Sequence, residues 1–276
     1  MHSILFYIGP IPVRAYGFML WIALMVGLFR TTRAARRIGG IEVQQVVDLA
    51  LYTMLGGIVM AHVVSVLLEL PTYIHDPSQI GKLWSGMLSP GGGLRGLSFH
   101  GGLIGAIGVV LLYTKRHKLK FMDVADLMTP ALALGYAITR IGCFLNGCCY
   151  GVPTSLPWGV RFQPDPFSSA LTPPSHPTQL YATAINVVLF FILVGMEKRR
   201  RYSGQIFMSY LAMYSVYRFL IEILRRGVTA EISYLGLTQG QWASLAILAI
   251  VLPILWMRRK VGTDAIATGL NPGANK

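Results

Sequence analysis

Tyr16, His100, Arg140, Tyr214, Arg218 and Glu222 are the side chains in this sequence best suited to ionic or proton-transfer chemistry away from water. Arg218 and Glu222 are four apart and Tyr214 is a further four back, so on a helix they share one face and the two charges can pair. A guanidinium grips phosphate through two parallel N–H donors and cannot lose its charge. Two of them held at one level, Arg140 and Arg218, would make a phosphate site. An imidazole titrates near neutrality, which suits a general base, and His100 could take that part. Plainer readings stand beside these. Arg218 and Glu222 could be a neutralised structural ion pair, and Gly101 and Gly105, four apart, could serve only close helix contact.

The elements that must position these groups follow from composition. Of 276 residues, 54% are hydrophobic and 13% charged, where a soluble domain carries about 25% charged. A bilayer-crossing helix needs about 20 mostly apolar residues. Apolar runs lie near Ala15–Phe29, Val46–Leu70, Leu97–Tyr113, Phe121–Phe144, Leu180–Gly195, Gln205–Leu224 and Trp242–Trp256. Basic clusters follow every second run: Arg30, Arg33, Arg36, Arg37; Lys115, Arg116, Lys118, Lys120; Lys198, Arg199, Arg200, Arg201; and Arg258, Arg259, Lys260. Cytoplasmic loops collect Lys and Arg. The sequence therefore predicts an all-α polytopic membrane protein with seven transmembrane helices and irregular external arms, N-terminus outside and C-terminus cytoplasmic. Residues 1–276 are expected to form one membrane domain, with a flexible basic tail over 258–276. The net charge of +13 is spread over loop ends rather than gathered on one surface, which excludes a nucleic-acid module. Met1–Arg14 lacks the pattern of a cleaved leader, and Ser3–Val13 is expected to lie in the outer interface. Pro71–Gly96 and Tyr150–Thr178 are the long external arms.

This topology brings distant residues to one depth. Arg140 and Arg218 come late in outward-going helices, while His100 and Tyr16 open inward-going ones. All four converge near the outer leaflet, where the phosphate at hand is an anionic phospholipid headgroup. A charge nearer the bilayer centre costs at least about 2.5–3.5 kcal/mol, so it calls for a partner or a task. The stretch Arg140–Gly151 is unusual in carrying Cys143, Asn146, Cys148 and Cys149 where a helix leaves the membrane. Its Cys-x4-Cys-Cys spacing matches zinc motifs poorly, so no metal is expected there. Cys148 and Cys149 could oxidise or pack as small apolar residues.

Four segments together resemble the bacterial prolipoprotein diacylglyceryl transferases: Leu97-Ser98-Phe99-His100-Gly101-Gly102-Leu103-Ile104-Gly105; Arg140–Gly151; His176-Pro177-Thr178-Gln179-Leu180-Tyr181; and Tyr214-x-x-Tyr217-Arg218-x-x-x-Glu222. The likeness runs from Ala15-Tyr16-Gly17 to Gln239-Gly240-Gln241. It implies a multi-pass enzyme of the bacterial cytoplasmic (inner) membrane with seven spans, and transfer of the diacylglyceryl group of phosphatidylglycerol to the lipobox cysteine of a prolipoprotein. The products would be a thioether and glycerol-1-phosphate. The expected partners are phosphatidylglycerol, the prolipoprotein signal peptide with its lipobox, and the bilayer; no metal or cofactor is implied. On the matching residues, Arg140 and Arg218 would hold and stabilise the leaving phosphate, Glu222 would orient Arg218, and His100 would be the base. Tyr16, Tyr214, Asn146 and Gly151 would complete the headgroup site. The chain departs from the family pattern where Cys143 replaces an Asn, Cys148 a Glu and Ala182 a Glu, and where Met60-Ala61-His62-Val63 takes the place of an early Arg. A non-catalytic or divergent lipid-binding homologue, a transporter, and a thiol oxidoreductase using the three cysteines are the competing classes.

Overall fold

Long uninterrupted runs of Leu, Ile, Val, Ala and Met satisfy their backbone internally as helices, and the apolar runs of this chain fold that way. A computed structural model describes residues 3–76, 98–163, 170–225 and 232–267. The helices are α1 (Ala15–Ile38), α2 (Val43–Leu68), α3 (Leu70–His75), α4 (Phe99–Arg116), α5 (Phe121–Leu145), α6 (Thr178–Glu197), α7 (Gln205–Ile221) and α8 (Gln239–Ala267). A 3-10 turn, Glu222–Leu224, prolongs α7. Among the described residues six stretches are long and apolar enough to cross a membrane: α1, α2, α5, α6, Gln205–Leu224 and Gln239–Arg258. The helix expected as the third span, α4, has 18 residues, and His100, Lys115 and Arg116 dilute its apolar content. Most of the arm Pro71–Gly96, part of the arm Tyr150–Thr178 and the end of the tail lie outside the described residues.

Helix is not the whole account. Ile4–Ile8 (β1) and Ile11–Arg14 (β2) pair as a small sheet, where the sequence predicted only an interfacial segment. Gly9, at φ 59°, makes the turn between them, a backbone that glycine adopts without penalty. A second small sheet joins Ile232–Tyr234 (β3) and Leu237–Thr238 (β4) in antiparallel fashion.

Two compact units make up the chain. One consists of Met1–Phe6, Val13–Gly27 and Ala125–Lys276, the other of Tyr7–Pro12 and Leu28–Val124. In the second unit, α2 and α4 meet through small residues, as the glycine spacing suggested. A Cβ on Gly101 would come within 2.5 Å of the Met60 carbonyl oxygen, and one on Gly105 within 2.5 Å of the Gly56 carbonyl oxygen. The helices can approach only because both side chains are absent. Ser98 caps α4 by accepting a hydrogen bond from the Gly101 amide, and its own amide donates to Ala61 O at 3.0 Å.

In the first unit the start of α7 is held by a residue far away in the chain. Gly204 takes a left-handed conformation and offers no side chain to cap the helix. The buried carboxylate of Asp126, in α5, accepts from the Gly204 and Phe207 amides at 2.7 and 2.8 Å, and Arg200 pairs with it at 3.4 Å. A carboxylate on the amides of a first turn also meets the positive end of the helix dipole. The other end of this unit starts α8 with a reciprocal cap: Thr238 N–H donates to Gln241 Oε1 and Gln241 N–H to Thr238 Oγ1, an arrangement that satisfies two orphan donors at once.

Candidate functional site

Arg140 lies in the last turns of α5, and the residue one turn before it, Tyr136, holds it in place. The guanidinium donates from Nη2 to the Tyr136 hydroxyl at 2.6 Å and lies 4.7 Å from the centre of that ring. Tyr136 in turn meets Tyr214 of α7 edge to face, 5.6 Å between centres at 90°. Tyr214 touches Tyr210 and Tyr217, each at 5.7 Å. Tyr217 is buried with Ala182 and Ile221, and Tyr136, Tyr181, Tyr214 and Leu224 pack around them. A tyrosine wall thus runs from α5 to α7.

Arg218 follows directly on this wall and pairs with Glu222 one turn on. The Glu222 side chain is 0% exposed and that of Arg218 16% exposed, so the pair stands away from solvent, where an unpaired charge would be costly. Gly240 at the start of α8 makes room for it. A Cβ there would come 2.9 Å from Arg218 Nη2 and 3.0 Å from Glu222 Oε1. This gives the Gln239-Gly240-Gln241 stretch two physical duties, a helix cap and a clearance for the ion pair.

The polypeptide between α5 and α6 folds back over the same end. Gly147, at φ 75°, ends the helix, and the Cys148 amide returns to Cys143 O at 3.1 Å. Gln179 donates to Cys148 O at 2.6 Å and Thr178 to Cys149 O at 2.8 Å. Gly151 bridges Arg225 in antiparallel fashion. Its amide donates to His176 O, and the next amide, of Val152, to Leu224 O. A Cβ on Gly151 would stand 2.9 Å from His176 Cβ and 2.8 Å from Thr178 Cγ2. His176 Nδ1 is 3.2 Å from the Tyr181 hydroxyl, which also accepts from Trp158 Nε1 at 2.8 Å. The Cys149 thiol lies below its ordinary range, because the Cys143 and Cys148 thiols hydrogen-bond to it and Arg140 and Arg225 face it.

Tyr16 opens α1 in this unit, 41% exposed, beside the last turn of α5. Gly142 lets the two helices touch: a Cβ there would lie 3.2 Å from Tyr16 Cα. Asn146 caps the end of α5 through its amide, 3.0 Å from Gly142 O, and its side chain reaches Cys148. Of the residues singled out in the sequence, Tyr16, Arg140, Asn146, Gly151, Tyr214, Arg218 and Glu222 belong to this unit, and His100, exposed at the start of α4, belongs to the other. Sequence reasoning passed over Tyr136 and Arg225, and named Gln179 only as part of a motif, without a role. Tyr136 carried a legible signal, since it stands four residues before Arg140.

A family model described as prolipoprotein diacylglyceryl transferase matches residues 3–257. The chain belongs to the prolipoprotein diacylglyceryl transferase family. Among its relatives, a protein of Bordetella parapertussis named phosphatidylglycerol–prolipoprotein diacylglyceryl transferase is 35% identical over 247 residues, which cover 86% of this chain and 88% of the relative. Proteins of the same name from Vibrio atlanticus and Vibrio cholerae are 35% and 34% identical, over 93% and 96% of this chain and 91% and 94% of their own lengths. Likeness of this extent spans both units of the transferase homologue. Membership and the six apolar helices together make it a multi-pass membrane protein.

Proposed function

We propose that this protein transfers the diacylglyceryl group of phosphatidylglycerol to the lipobox cysteine of prolipoproteins, leaving a thioether and releasing glycerol-1-phosphate. The observation that carries the reading is a pair of guanidiniums in one unit of a chain of this family: Arg140, bonded to Tyr136 of α5, and Arg218, paired with Glu222 on the same helix as Tyr214, which packs on Tyr136.

The substrate thiol attacks carbon 3 of the lipid's glycerol backbone, and the bond to the phosphate oxygen breaks. Two tasks follow: removing a proton from a thiol whose pKa is near 8.5, and stabilising charge on the departing phosphate monoester. Arg140 and Arg218 take the second, with fixed positive charge and forked donors. Glu222 holds Arg218 in register and offsets its charge while the lipid is absent. Tyr16 and Tyr214 position the headgroup, with Asn146 and Gly151 lining it. His100 takes the proton. The chain adopts seven spans in the bacterial inner membrane, α4 being the third, with the N-terminus outside and the C-terminus in the cytoplasm. The basic last turns of α1 and α4, the Lys198, Arg199, Arg200, Arg201 cluster that follows α6, and the Arg258 end of the last span support that orientation. The lipid enters sideways at the outer leaflet, and the signal helix docks from the bilayer with its lipobox at the external arms.

The test is turnover by the purified protein in vesicles of phosphatidylglycerol labelled in the headgroup, with a lipobox peptide as acceptor. Labelled glycerol phosphate should appear in step with a peptide heavier by one diacylglyceryl group. Arg140→Ala and Arg218→Ala should abolish both signals, and His100→Gln should slow them. Phospholipid binding without release of glycerol phosphate would make the protein a lipid binder instead of a transferase.

A further inference from the structure

The fold brings together three thiols that the transfer reaction does not use. The Sγ atoms of Cys143, Cys148 and Cys149 all lie within 4.8 Å of one another, and none of the three is in a disulfide. Cys143 is buried in the last turn of α5, while Cys148 and Cys149 are half-buried in the turn that follows. Their convergence is imposed by the main chain: Gly147 turns the strand back, Cys149 takes a left-handed φ of 65°, and Gln179 and Thr178 hold the two carbonyls. Linear spacing hid this, because Cys-x4-Cys-Cys is not a zinc pattern, yet a helix end followed by a reversal puts first and last ligands side by side.

We propose that Cys143, Cys148 and Cys149 form a three-thiolate site for a soft monovalent cation of the Cu(I) class. Sulfurs about 2.3 Å from a central ion and arranged in a plane stand about 4.0 Å apart. The thiols therefore need to close by less than about 1 Å. Soft thiolate ligands select soft ions. The group contains no His, Asp or Glu among the described residues, so it supplies three donors, short of the four that structural zinc takes. Each thiol yields its proton to water as its bond to the ion forms, and no electron is transferred. Three thiolates and one monovalent ion leave two negative charges, and two cations, Arg140 and Arg225, are in electrostatic contact with Cys149. The site shares Arg140 with the proposed phosphate site, but metal uptake is read without lipid turnover, so failure of one reading is distinguishable from failure of the other.

The experiment is an anaerobic titration of the reduced full-length protein in detergent with Cu(I) buffered by a coloured chelator, with Zn(II) as a parallel arm. The protein should take one Cu(I) from the chelator, gain an ultraviolet thiolate-to-metal band, and lose all three thiols to alkylation. Cys143→Ser, Cys148→Ser and Cys149→Gly should each weaken uptake by at least tenfold, since even an outer-shell partner is worth about 10–100-fold in affinity. Cys149→Gly is the decisive variant, because glycine accepts the left-handed backbone at 149 without strain and an unchanged melting temperature shows it folded. Failure of the wild type to compete with the chelator overturns the proposal. So does equal uptake by Cys149→Gly, which would place copper on other groups such as methionines, or tighter binding of Zn(II) with all three thiols protected.

Discussion

Tyr136→Phe isolates one interaction at the proposed phosphate site. It removes the hydroxyl that accepts from Arg140 Nη2 at 2.6 Å, and leaves the ring 4.7 Å from the guanidinium and edge-on to Tyr214. A hydrogen bond to a charged group contributes about 1.5–3 kcal/mol. Arg140 keeps its other N–H donors, so the lower end applies. At 1.36 kcal/mol for each factor of ten, kcat/KM for the lipobox peptide should fall about tenfold. Tyr136→Leu also removes the ring, and a cation–π contact contributes about 0.5–2 kcal/mol, for a further loss of about 2–30-fold. Release of labelled glycerol phosphate in phosphatidylglycerol vesicles reads both values. Because Tyr136 acts through Arg140, the loss should shrink in an Arg140→Lys background, with a coupling energy above about 0.5 kcal/mol. Wild-type kcat/KM in Tyr136→Phe, or strict additivity with Arg140→Lys, would refute the assignment of Tyr136 as the group that sets Arg140.

Other perturbations separate structure from chemistry. Glu222→Leu strands a mostly buried guanidinium, at a cost of about 3–5 kcal/mol, and should collapse the yield of folded protein; Glu222→Leu with Arg218→Met should restore yield in size-exclusion chromatography without restoring turnover. Asp126→Ala should remove the cap on Gly204 and Phe207 at a cost of about 0.5–2 kcal/mol, lowering the melting temperature by several degrees while turnover at 25 °C stays near that of the wild type. Gly101→Val should drive a side chain into the Met60 carbonyl and Val64, an overpacking of about 1–3 kcal/mol or more, and its signature is loss of folded protein rather than a changed KM.

What the sequence disclosed was mostly what acts over one helix turn. Arg218, Glu222 and Tyr214 share a face by spacing alone, and Gly101 and Gly105 announced a close helix contact. Tyr136 stood at the same spacing from Arg140, but an aromatic inside an apolar run reads as core. Asp126 could not be read as a cap, because its partners Gly204 and Phe207 lie 78 and 81 residues further on, and among neighbouring basic residues a carboxylate looks solvated. Arg225 follows the end of an apolar run, and only a backbone bridge to Gly151 brings it to the site. The β1–β2 pair escaped notice because a short segment rich in Gly and Pro looks irregular until its two halves meet. The family likeness supplied what periodicity could not, an order of four motifs along the chain.

The reversal after α5 is secured almost wholly by peptide groups. The carbonyls of Cys148 and Cys149 are gripped by Gln179 and Thr178, and the amides of Gly151 and Val152 are spoken for by His176 and Leu224. Apart from Gly147 and Gly151, where backbone and close neighbours require glycine, such a segment leaves its side chains open, so positions 143 and 148 can exchange amide or carboxylate for sulfur without redrawing the trace. Such a strap lets evolution revise the functional groups presented at this turn while the architecture beneath is inherited unchanged.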